Sequence, residues 1–161
     1  MATRAESTTT TEPSAVGTER TERIGWRAGV AAGALAGIAM GAAFSLFAPG
    51  ALEVAIPSLY GLSGGVAGWI VHVSHGAVLG VVFVALANAL GVADATRSTL
   101  LGIGYGVVLW VALAAVLMPV WLAAVGSPAT APLPNLDPLS LAAHVLYGAV
   151  LGAALPSLRS L

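Results

Sequence analysis

Four long apolar runs, divided by short polar or proline-bearing breaks, govern what this chain can become. Each is close to the ~20 residues that a helix needs to cross the hydrocarbon core of a bilayer. They extend from about Ile24 to Phe47, Val66 to Leu90, Thr99 to Trp121 and Leu139 to Leu158. Pro119 is expected to kink the end of the third. The expected fold is an all-α membrane protein, a four-transmembrane-helix bundle. Only 8% of the 161 residues are charged and 58% are hydrophobic. A water-soluble domain carries about 25% charged residues, so this chain cannot cover a surface that faces water.

The pattern His-Val-x-x-Gly-Ala-Val-Leu-Gly occurs twice, at His72–Gly80 and at His144–Gly152. The copies fall in spans 2 and 4. Each half is then an outgoing span followed by a returning one, and the bundle is expected to consist of two parallel-repeat helix pairs. A pseudo-twofold axis along the membrane normal would set His72 and His144 at one depth.

Glycine recurs at four-residue spacing in span 1, at Gly25, Gly29, Gly33, Gly37 and Gly41. In span 2 the same spacing reads Gly64, Gly68, His72, Gly76, Gly80, and in span 4 Ser140, His144, Gly148, Gly152. Span 3 adds Gly102 and Gly106. Such stripes form a glycine zipper, a bare groove into which a neighbouring helix backbone can sink. They would pack the four spans together, or offer a seam to a second copy or another membrane protein. The histidines fall in these seams and should face protein rather than lipid.

His72, His75, His144 and Tyr147 then form a polar layer in an otherwise apolar bundle. Ionisable groups inside a membrane are costly and mark functional sites by default. Three readings stay open. A neutral imidazole bonded across a seam is helix–helix glue. Two facing histidines could hold haem iron, although tight glycine seams leave little room for a macrocycle. The layer could also serve a proton relay or a small ligand. No buried Asp or Glu accompanies it, so no metal site is expected. Asn88 is a further deep polar side chain, in span 2.

Residues 1–23, rich in Thr, Ser and Glu, read as a disordered tail, and 24–161 as the membrane domain. Arg20, Arg23 and Arg27 cluster at the start of span 1, Arg97 separates spans 2 and 3, and Arg159 closes span 4. The other two loops lack Lys and Arg, so both termini should be cytoplasmic and those loops external, in a prokaryotic cell membrane. Trp26, Trp69 and Trp121 suit interfacial anchors, whereas Trp110 lies mid-span. The net charge of −1 implies no nucleic-acid partner. Cysteine and lysine are absent, which excludes disulfides, thiolate sites, Schiff bases and a P-loop. No Gly-x-Ser-x-Gly or His-Glu-x-x-His motif occurs.

The order of motifs adds a resemblance. A glycine-rich first span is followed by a Pro57-bearing loop and a histidine-bearing second span. Gly102-Ile-Gly-Tyr-Gly-Val-Val-Leu-Trp110 leads to Met118-Pro119, and a second loop and His144 follow. Over roughly Ile24–Leu158 this resembles the YagU-type inner-membrane proteins of unknown function. It is also similar to short membrane proteins, especially of halophilic archaea, that carry the label histidine kinase. The residues conflict with such a label, because no ATP-binding domain or cytosolic phosphoacceptor helix is present. The resemblance implies a four-span membrane protein and no particular activity. The expected role is therefore non-enzymatic packing with itself or a partner. The alternative is a transport, proton-relay or ligand site at the histidine layer. A partner protein should leave a glycine stripe facing lipid, whereas a site protein should turn its stripes inward around a cavity.

Overall fold

The computed structural model describes residues 23–92, 94–129 and 131–161, and the rest of the tail lies outside them. The described chain is all-helical. Four helices are long and apolar enough to cross a membrane: α1 (Trp26–Phe47), α3 (Gly65–Ala89), α4 (Ala95–Ala124) and α5 (Pro138–Leu158). Between α1 and α3 lies a short α2, a π-helical stretch at Ala51–Ala55 that runs into one α-turn, Ile56–Ser58.

Local chemistry sets these ends. Asp94 and Asp137 begin α4 and α5, accepting from the Arg97 amide at 2.9 Å and from the Leu139 and Ser140 amides at 3.2 and 3.1 Å. Each carboxylate satisfies amides that a first helical turn leaves unbonded. After α3 and α4, Gly91 (φ 62°) and Gly126 (φ 66°) adopt the left-handed conformation. The following amides, of Val92 and Ser127, then reach back to the Ala87 and Leu122 carbonyls, both at 2.9 Å. That is the glycine-dependent Schellman ending.

α4 changes pitch before its proline. Ala95–Leu109 is α-helical, Trp110–Leu117 is π-helical and Met118–Ala124 is α-helical again. The irregularity thus begins well ahead of Pro119, where a kink alone was expected. Pro119 has no N–H to offer the Ala115 carbonyl one turn earlier. The Asn135 backbone amide, in the loop before α5, donates to that carbonyl instead, at 2.9 Å.

The helices form two close pairs, α1 with α3 and α4 with α5. A β-carbon added at Gly33 would strike the Gly76 carbonyl, and one at Gly80 the Gly29 carbonyl. In the second pair Gly102 and Gly148 meet reciprocally, Gly106 faces the His144 carbonyl, and Gly152 faces that of Ser98. Backbones come this close only where side chains are missing, and the gain is dispersion contact.

Three expectations about these glycines change. Gly25 precedes α1, is exposed and has open space around its α-carbon, so it packs nothing. Gly68 meets the Leu52 carbonyl of α2 rather than another spanning helix. Gly41 faces the ring of the half-buried Trp69 rather than another helix backbone.

A twofold relation would make the contact of α1 with α5 like that of α3 with α4. It does not hold: α1 packs along α5, while α3 and α4 touch at few points. Register explains the difference. Gly29, Gly33 and Gly37 occupy in the first pair the places of Ser98, Gly102 and Gly106 in the second. One residue before them α1 carries Ala28, Ala32 and Ala36, all wholly buried. The matching residues of α4 are Arg97, Leu101 and Tyr105. Alanine lets α1 close on its neighbour. Leu101 and Tyr105 hold α4 away, with the Tyr105 ring tilted against Phe83 at 5.4 Å between centroids.

Candidate functional site

The separation between the pairs leaves a cavity of about 820 Å³ at the end of the bundle that carries α2 and the loop before α5. It lies within the roughly 300–1,000 Å³ of sites that hold small organic ligands. His72, His75, His144 and Tyr147 all line it. The expected polar layer is thus one surface. Little room exists inside each glycine seam, as expected, and the cavity lies between the seams.

Each polar side chain is fixed differently. His72 is buried on α3, and its Nε2 lies 3.1 Å from the Gly37 carbonyl across the first seam. Phe44 meets its ring edge-on at 5.7 Å. His144 turns back on its own helix, with Nδ1 2.7 Å from the Ser140 carbonyl. A carbonyl oxygen can only accept, so the bonded nitrogen of each ring carries the proton. In the neutral imidazole the other nitrogen, Nδ1 of His72 and Nε2 of His144, is then a lone-pair acceptor. His75 Nε2 and the Tyr60 hydroxyl are 2.7 Å apart in a hydrogen bond near the exposed rim. The Tyr147 hydroxyl donates across the two pairs to the Gly76 carbonyl, at 2.7 Å. The two repeat-related histidines therefore share a cavity, but each bonds to backbone and not to the other.

The remaining walls are apolar, with Met40 and Phe44 from α1, Leu79 from α3, and Leu109, Leu113 and Leu117 from α4. Tyr60, Trp121, Asn135 and Asp137 also line the cavity and were not expected there. Asp137 was findable from its position before Pro138, which marks a capped helix start. Tyr60 and Asn135 sit in irregular segments with no periodicity to read. Asn88 lies away from the cavity and holds the chain entering α1, donating to the Ile24 carbonyl and accepting from its amide, each at 3.0 Å. Among the described residues, no group of three or more His, Asp or Glu side chains is placed to hold a metal ion. No family model matches this chain, and no curated protein or solved structure shows significant similarity to it.

Proposed function

We propose that this four-span protein binds a small ligand in the cavity between its helix pairs, as a carrier or transport component, and does no chemistry on it. One observation carries the reading. The paired glycine faces of α1 with α3 and of α4 with α5 turn toward each other, and the intramembrane histidines line the space left between the pairs. Large apolar walls with a few convergent polar groups are the usual make-up of a ligand site. The acceptor nitrogens of His72 and His144 suit a ligand that presents O–H or N–H donors.

In this reading the repeated motif records a duplicated helix pair whose glycine zippers build the scaffold. The arginine distribution supports a cell-membrane location with both termini cytoplasmic and the cavity toward the outside. The motif order supports a prokaryotic, YagU-type kinship. The competing role, a packing partner for a second copy or another membrane protein, would draw on a glycine face left to lipid. Gly104 alone among the glycines inside the four spanning helices has open space around it and is exposed, and a lone small residue is a weak seam.

Purification in mild detergent with an absorption spectrum and a native mass measurement tests the proposal. The expected result is the chain plus a small non-protein mass, lost when Ala114→Trp fills the cavity. A bare chain, or a second protein chain held in fixed proportion, would overturn it.

A further inference from the structure

The cavity is framed on one side by α3 and α4, the two helices that do not close on each other. Two hydrogen bonds bound that gap. At the lower end the Tyr105 hydroxyl donates to the Leu79 carbonyl at 2.9 Å, and at the upper end the Trp121 indole donates to the Leu59 carbonyl at 3.0 Å. Trp121 follows Tyr105 by sixteen positions of α4, roughly 20–24 Å at ~1.5 Å per residue. Within this frame Val78 of α3 and Leu117 of α4 both line the cavity and are exposed, at 64% and 50%. A residue that belongs to both surfaces marks an opening, and in a spanning segment that opening faces lipid.

The end of the cavity away from mid-membrane is capped only in part, with Tyr60 and Trp121 exposed at its rim. Ser58 and Ser127 join α2 to the loop after α4 by a hydroxyl pair at 2.7 Å, and the Asn135–Ala115 bond pulls the next part of that loop down onto α4. The lining is also graded. Tyr60 and His75 lie toward the rim, and Leu79 and Leu109 toward the middle of the spans. A lipid in one leaflet has the same order, with its head at the interface and its chain toward the midplane.

Resting on the cavity reading above, we infer that the ligand is a long-chain amphiphile of the bilayer, which enters sideways between α3 and α4. Its chain lies along Leu79, Leu109 and Leu113, and its polar head meets the imidazoles and Tyr60. A ligand without a chain would leave the apolar walls without a partner.

The test uses the full chain in phosphatidylcholine vesicles with hexadecan-1-ol that carries a mid-chain diazirine, a probe whose head is an O–H donor. Illumination and peptide mapping locate the adducts. A second protein, Val78→Cys with Leu117→Cys, has its two thiols joined across the gap by a bifunctional methanethiosulfonate, which reductant removes. The chain has no other cysteine. Adducts on Leu109 and Leu113 are expected in the open protein, lost when the bridge is in place and restored by reductant. Because reduction restores the same molecule, misfolding cannot mimic that pattern. Cavity adducts that persist with the gap bridged would overturn sideways entry and leave the cavity reading standing. Adducts confined to outward residues such as Leu35 and Val82 in every sample would overturn the amphiphile inference, while a bare chain in the native mass measurement would overturn the cavity reading as well.

Discussion

The Asn135 amide occupies the Ala115 carbonyl that Pro119 leaves without its helical donor. Loss of one helix bond thereby fixes a loop against the bundle and sets Asn135 on the cavity wall. In a bilayer a freed carbonyl needs such a partner, because an unsatisfied one costs several kcal/mol.

Pro119→Ala restores a competing N–H one turn from Ala115. The helix gains, since an interior proline costs about 3 kcal/mol, and the loop loses its anchor. Faster hydrogen exchange at the Asn135 amide, with the global fold retained, is the expected outcome. Unchanged protection there would show that the loop is held by other contacts.

Glycines of one stripe should respond differently to a methyl group. At Gly37 an added β-carbon meets Val73 and Gly76 at ordinary distances, 3.5 and 3.6 Å, while at Gly29 it meets the Gly80 carbonyl at 2.7 Å. Gly37→Ala should be neutral or stabilise by about 0.5–1 kcal/mol through helix propensity. Gly29→Ala, and Gly68→Ala against the Leu52 carbonyl, should each cost about 1–3 kcal/mol by overpacking. Unfolding in mixed micelles ranks the three, and equal tolerance would mean that the seam is looser than drawn.

The spans and the seams were legible because period and hydrophobicity act locally. Four-residue glycine spacing places a bare stripe on a helix whatever it packs against, and the repeat showed that His72 and His144 occupy like positions. The cavity was not legible. It arises from what stands one residue away from the glycines, alanine at 28, 32 and 36 against Leu101 and Tyr105. That contrast matters only once the helices are paired in register. Gly25 was misread for a related reason: it shares the spacing but precedes the first helical turn. Tyr60 and Asn135 reach the cavity from segments whose course depends on long-range bonds, and such bonds leave no local pattern.

Asn88 makes a closed two-bond pair with the Ile24 backbone, 64 residues away in sequence. Asn88→Leu removes both bonds. Since a membrane hydrogen bond averages about 0.6 kcal/mol, the loss should be about 1 kcal/mol. It should appear as fraying of the first turn of α1, read as faster exchange of the Ile24 amide, while the histidine end is undisturbed. Equal deprotection at both ends of the bundle would contradict a local clamp.

Orientation follows from the arginines. Reporter fusions after Leu161 and at Asp94 are expected to read cytoplasm, and those at Glu53 and Asp137 the outside. A cytoplasmic signal at Asp137 would invert the assignment and place the cavity on the inner face.

If Leu101 and Tyr105 keep the pairs apart, shrinking them should let α4 fall toward α3. The double change Leu101→Ala and Tyr105→Ala recreates on α4 the small stripe that α1 presents to α5. It also removes the Tyr105–Leu79 bond at the lower edge of the gap. Closely packed helix axes lie about 8–10 Å apart, so a pair of spin labels at the exposed sites Val82 and Val108 should report a shorter distance. Cysteines for the labels can be introduced at will in a chain that has none. Closure should also shrink the cavity and reduce any retained ligand. An unchanged label distance with a loss of about 3–5 kcal/mol would mean instead that the rings fill a rigid space, and that the gap is held open by the rest of the bundle.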